Sequence, residues 1–192
     1  FALRGLDESN RQVLQTIAAF RMPATWNTLQ ALFVSGGMFK DTTCRDDRAL
    51  DAILVELEDR GLVGWDKVAN RYDLHPIVRA VVWATLNPIS KKKICGKLCT
   101  YFDAVPKIAV WKTVESMEDL TPAIELYNAL LGTQRFHDAL SVFLEHLDSA
   151  TDERLCASRQ RIELLTPLVA KFFEQDLEGL HPQEVLGLLN AI

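Results

Sequence analysis

The chain has 192 residues, 48% hydrophobic and 24% charged, which is the balance of a folded globular protein and excludes disordered or fibrous classes. A net charge of −5 argues against non-specific binding to phosphate backbones. No apolar run reaches the roughly 18–20 residues of a membrane span; the richest, Ile77 to Leu86, carries Arg79 and gives way to Pro88.

The chain opens Phe-Ala-Leu-Arg-Gly-Leu, with neither an initiator Met nor a basic-then-apolar leader, and reads as a piece excised from a longer protein. Asp7-Glu8-Ser9 is a helix start, followed at near-helical spacing by Val13, Leu14, Ile17, Ala18 and Phe20. Arg21-Met22-Pro23 breaks that helix. Thr25 opens a second, with Trp26, Leu29, Leu32 and Phe33, which Ser35-Gly36-Gly37 stops. Asp46 or Asp47 starts a third, with Leu50, Ile53, Leu54 and Leu57 at i, i+3, i+4, i+7 and Gly61 past its end. Leu62 to Trp65 and Arg71 to Leu74, around a polar turn at Asp66 to Asn70, form a β-hairpin. Pro76 then sits at a first helical position, and Ile77, Val78, Val81, Val82 and Trp83 supply a fourth apolar face. Three helices, a hairpin and another helix is the order of a winged-helix domain, assigned to residues 1–87.

Residues 88–192 show no strand signal. Ser90 begins a helix with Ile94, Leu98 and Phe102 on one face, closed by Val105-Pro106. A loop with Trp111 and Met117 leads to Thr121-Pro122, an N-cap and a first-turn proline. Helices follow at about 122–132 and 135–148, then a longer one from Asp152 through Leu164, kinked at Pro167, and a last one opened by His181-Pro182. Short connections imply antiparallel neighbours. The fold class expected is therefore mainly α, a winged helix followed by an all-α segment.

Four cysteines, at 44, 95, 99 and 156, form no framework and no zinc spacing, and read as buried thiols of a reducing, cytoplasmic environment. His137 and His146 lie off ligand spacing, and no metal is assigned. The indoles of Trp26, Trp65 and Trp83 fall on apolar faces or the hairpin, so core packing is their expected role.

Leu57-Glu58-Asp59-Arg60-Gly61-Leu62-Val63, followed about a dozen residues on by Leu74-His75-Pro76-Ile77-Val78-Arg79, resembles the winged-helix region of STAND-class signal-transduction NTPases, which include the NB-ARC proteins. The resemblance covers about residues 7–86. Leu126, Tyr127, Phe136, Ala139 and Phe143 resemble one tetratricopeptide unit, with Gly132 to Phe136 as the inter-helix turn; His146 stands where a small residue is usual. Thirty-four residues on, Gln160, Arg161 and Phe173 occupy the next consensus positions, so that pair is repeat-like only. The resemblance implies that the histidine of the motif, His75, contacts the β-phosphate of ADP and locks a closed state. Leu74-His75-Pro76 departs from the Met-His-Asp of the plant branch, which leaves the third position without an equivalent.

The chemistry of His75 fits that role, because a helix N-terminus presents free N–H groups and partial positive charge, and the same field favours a neutral ring able to donate one N–H. No GxxxxGK[ST] is present, since Gly36-Gly37-Met38-Phe39-Lys40 lacks its spacing, and HExxH, GxSxG and GxGxxG are absent too. The segment is therefore expected not to be an enzyme and to hold no cofactor itself, with ADP or ATP and Mg bound by the intact parent protein. Its partners would be the upstream NTPase domain and other proteins, the latter through a helical face carrying Asn128 and Leu131. Two alternatives stand beside this: a free-standing tetratricopeptide-like adaptor, and a DNA-binding regulator. The third helix weighs against DNA, since Asp46, Asp47, Asp51, Glu56, Glu58 and Asp59 face only Arg48 and Arg60, a net −4. Lys91-Lys92-Lys93, the one basic run, reads as a solvated connector.

Overall fold

Asp7 accepts the Asn10 N–H at 2.7 Å and so starts helix α1 (Glu8–Ala19), which buries Val13, Leu14, Ile17 and Ala18. The computed structural model describes residues 5–34, 37–39 and 44–174, the last four by backbone alone. The chain divides into two compact units, Phe1–Lys97 and Leu98–Ile192. Among the described residues it is mainly helical, with one small antiparallel sheet. None of those helices is long and apolar enough to cross a membrane.

In the first unit, strand β1 (Ala24–Thr25) precedes α2 (Trp26–Phe33), whose N-cap Thr25 accepts the Thr28 N–H at 3.1 Å. Beyond α2 the backbone turns back so closely that a Cβ on Gly37 would lie 2.5 Å from the Leu32 carbonyl oxygen. That approach admits only glycine. Ser35 and Gly36, also expected in this stop, lie outside the described residues. Helix α3 (Asp47–Asp59) is capped by Asp46 and buries Leu50, Ile53, Leu54 and Leu57, as the spacing predicts. Gly61 follows it at φ +67°, a left-handed position open to glycine at no steric cost.

Strands β2 (Gly64–Asp66) and β3 (Arg71–Asp73) form the expected hairpin, with Trp65 opposite Tyr72. The sheet also has a third strand, which the sequence reading lacks: β1 pairs antiparallel with β3, Ala24 opposite Tyr72, in the order β1-β3-β2. Two residues are too few to show an alternating pattern, so β1 is defined only by its partner. Helix α4 (Pro76–Ala84) packs against α1, and α1 also packs against α3. Asn10 ties those last two helices together, its buried amide donating to Glu56 at 2.6 Å while Arg60 donates to the same carboxylate at 2.6 Å.

Helix α5 (Pro88–Ala104) starts two residues before Ser90, because Asn87 accepts the Ser90 N–H at 2.8 Å and Pro88 needs no donor partner in a first turn. Ile94, Leu98 and Phe102 are buried along it, with Cys95 and Cys99.

In the second unit the expected loop holds two 3₁₀ turns, Trp111–Thr113 and Met117–Leu120. Asp119 accepts the N–H groups of Glu115 and Ser116 at 2.9 and 3.0 Å, which lower its pKa. The second turn runs straight into α6 (Thr121–Gly132), so Thr121 lies inside that helix and is not its cap. Helix α7 (Phe136–Val142) packs on α6, and Leu126, Tyr127, Phe136, Ala139 and Phe143 are all buried. Tyr127 donates its hydroxyl to the Leu164 carbonyl at 2.5 Å, and its ring meets Phe143 at 6.0 Å.

The end of this helix differs from expectation. Two π-helical stretches, Phe143–Leu147 and Ala150–Arg154, prolong it past Asp152, and the next helix, α8 (Ser158–Glu174), begins only at Ser158. Thr151, buried, donates its hydroxyl to the Leu147 carbonyl at 2.7 Å within this stretch. The break falls at Cys156, which takes a φ of +49°. No Gly or Pro marks it, which is why the sequence conceals it. Pro167 lies inside α8, as expected, and the helix continues beyond it. The helix expected from His181 lies outside the described residues.

Candidate functional site

His75 is the N-cap of α4. Its Nδ1 accepts the Ile77 N–H at 3.3 Å, which leaves Nε2 as the ring nitrogen able to donate. The side chain is exposed. Pro76 follows at the first helical position, where its missing N–H costs nothing.

The helix that His75 starts is not the core element its sequence suggests. Of the expected apolar face, Val82 is fully buried and Val78 and Trp83 are half-buried. Ile77 and Val81, one turn apart, are 68% and 47% exposed. The reason is positional, since α4 packs chiefly on α1 and its other side turns to solvent. Arg79 supplies much of the anchorage. Its guanidinium donates to the Ile17 carbonyl at 3.3 Å, to the Phe20 carbonyl and to the Asp73 carboxylate. A carbonyl of the last turn of α1 and that of its C-cap Phe20 thus receive donors, and α1, β3 and α4 are joined at one point. The sequence places Arg79 in the motif but gives no sign of this task, because Ile17 and Phe20 lie some sixty residues away.

A second feature lies between α3 and the hairpin. Trp26, Asp51, Glu58, Trp65, Asn70 and Tyr72 line a groove of about 530 Å³. Trp65 and Tyr72 are cross-strand partners, so their rings share one face of the sheet, 3° from parallel with centroids 6.0 Å apart. The Trp26 indole N–H donates to Asp51 at 2.8 Å, and the Trp65 indole N–H to Asn70 at 3.2 Å. Burial, and then the charges of Asp51 and Glu58, push the Tyr72 hydroxyl above its ordinary pKa. These contacts correct the expectation of core packing for tryptophan: Trp65 is exposed, and Trp26, Trp83 and Trp111 are half-buried. The groove has no local signature either, since Trp26 and Asp51 are 25 residues apart.

In the second unit Asn128 and Leu131 share a face of α6, both half-buried. The Asn128 amide donates to the Ile124 carbonyl at 2.8 Å, one turn back on its own helix. Of the four thiols, Cys44, Cys95 and Cys99 are buried as expected, whereas Cys156 is exposed at its turn. Burial raises the pKa of Cys44 and of Cys99. Among the described residues no three His, Cys, Asp or Glu side chains gather as a metal site. No family model, no curated protein and no solved structure matches the chain.

Proposed function

We propose that the chain is a non-catalytic regulatory segment of a STAND-class NTPase. In this reading the first unit is a winged-helix domain that closes over ADP held by an upstream domain of the same protein, and the second is a tetratricopeptide-like segment that contacts other proteins. The observation that carries it is His75: an exposed histidine at a helix start, its Nδ1 engaged by the Ile77 N–H and its Nε2 edge the one left to meet a ligand. That edge suits a phosphate oxygen, and the partial positive charge of the α4 start adds to it. The exposed Ile77 and Val81 beside it offer apolar surface of the kind an adjoining domain would cover. The order α1-β1-α2-α3-β2-β3, with sheet order β1-β3-β2, agrees with a winged helix. The buried Leu126, Tyr127, Phe136, Ala139 and Phe143 agree with the packing positions of a repeat.

Mechanically this is a two-state switch, in which ADP favours the closed state only through contacts made there and lost on opening. His75→Asn separates the two tasks of the residue, since asparagine still caps a helix but lacks the ring donor. In the intact protein it should raise the ADP off-rate by about tenfold or more, the weight of one hydrogen bond to a charged oxygen. An unchanged off-rate and unchanged assembly would sink the sensing role. A cheaper test is the native reading frame upstream of Phe1, where a GxxxxGK[ST] within roughly 250 residues is expected; its absence leaves a free-standing adaptor.

A further inference from the structure

His75 is not among the residues that line the groove between α3 and the hairpin. Its walls are the rings of Trp26, Trp65 and Tyr72 with Leu54 and Val55, and its charged lining groups among the described residues are the carboxylates of Asp51 and Glu58. Such a surface repels phosphates and carboxylates and attracts a cation that can also lie against a ring. The protein's own Lys67 already does so on one side, its ammonium 5.3 Å from the Trp65 ring centroid.

Of the two basic side chains, guanidinium suits the groove better. It is planar and weakly hydrated, stacks on indole and phenol faces, and donates a rigid fork to a carboxylate, whereas an ammonium is a strongly hydrated point charge. The Trp26 indole N–H holds Asp51 at 2.8 Å, so an aromatic wall and an anion are fixed as one unit before any ligand arrives. We infer that this groove receives an arginine side chain of a partner protein, stacked against Trp65 and paired with Asp51 and Glu58.

The test is an NMR titration of the 192-residue chain with a blocked Gly-Arg-Gly tripeptide, read at the indole N–H signals. The Trp26 and Trp65 signals should shift saturably at millimolar peptide, a strength in keeping with a single side chain, while those of Trp83 and Trp111 stay put. The isosteric citrulline peptide, which has no charge, should leave all four unmoved. Asp51→Asn with Glu58→Gln should weaken binding by about fivefold or more. The amide placed at position 51 still offers an oxygen to the Trp26 indole, and an unchanged melting midpoint will verify the fold. No saturable shift by roughly 10 mM peptide overturns the inference. So does equal binding of the citrulline or the Gly-Lys-Gly peptide, or binding indifferent to the two carboxylates.

Discussion

Aromatic side chains are used differently in the two units. In Leu98–Ile192, Tyr127 and Phe143 are the centre of the packing, and the one polar aromatic atom of that pair, the Tyr127 hydroxyl, is satisfied by the Leu164 carbonyl. In Phe1–Lys97 the phenylalanines Phe20, Phe33 and Phe39 are buried, but Trp26 and Trp65 stay at the surface with their N–H groups on Asp51 and Asn70. A ring with a polar atom settles where that atom finds a partner. For Tyr127 the partner is a helix carbonyl inside the unit; for the two tryptophans it is a polar side chain at the rim.

The sharpest way to break this contrast is to truncate one ring from each unit. Phe143→Ala should lower the unfolding free energy by about 3–5 kcal/mol, and Trp65→Ala by about 1 kcal/mol or less, both read from urea unfolding. Comparable losses would make Trp65 a core residue after all. Arg79→Met comes next, at about 2 kcal/mol, because it removes one guanidinium that donates to the Ile17 and Phe20 carbonyls and to the Asp73 carboxylate; a wild-type melting midpoint would count against this tether. Tyr127→Phe should cost about 1 kcal/mol by removing the hydroxyl's hydrogen bond to the Leu164 carbonyl, which urea midpoints will register.

A smaller effect concerns acid. The Asn10 amide, and then Arg60, hold the Glu56 carboxyl below its ordinary pKa. A carboxylate with a depressed folded pKa contributes stability that is fully present above its unfolded pKa and is lost as pH falls through the lower folded value. Glu56→Gln should therefore flatten the acid limb of stability against pH, and parallel acid titrations of the two proteins would detect it. Thiol labelling is the mildest probe. Cys156 should react with a maleimide first, and the buried Cys44, Cys95 and Cys99 only on unfolding; fast loss of two thiols from the native chain would contradict their burial.

Much of the fold was legible because it rests on local chemistry. Asp7, Thr25, Asp46 and His75 cap helices in the structure where the sequence suggests helices start, and Leu50, Ile53, Leu54 and Leu57 are buried as their spacing requires. Legibility failed where the cause is distant or unmarked. Strand β1 exists through pairing with β3, and the break at Cys156 uses a non-glycine residue at positive φ. His75 was visible because a short motif carries it; the groove was not, because α2, α3 and the hairpin each contribute one part.

Caps, spacing and turn chemistry act over a few residues, so the helix starts, the apolar stripes and the presence of a hairpin follow from local sequence. Which apolar positions remain uncovered was decided only in three dimensions. Ile77 and Val81 carry the same hydrophobic signal as Val82 yet face solvent, because burial depends on what packs opposite and α4 packs chiefly on α1.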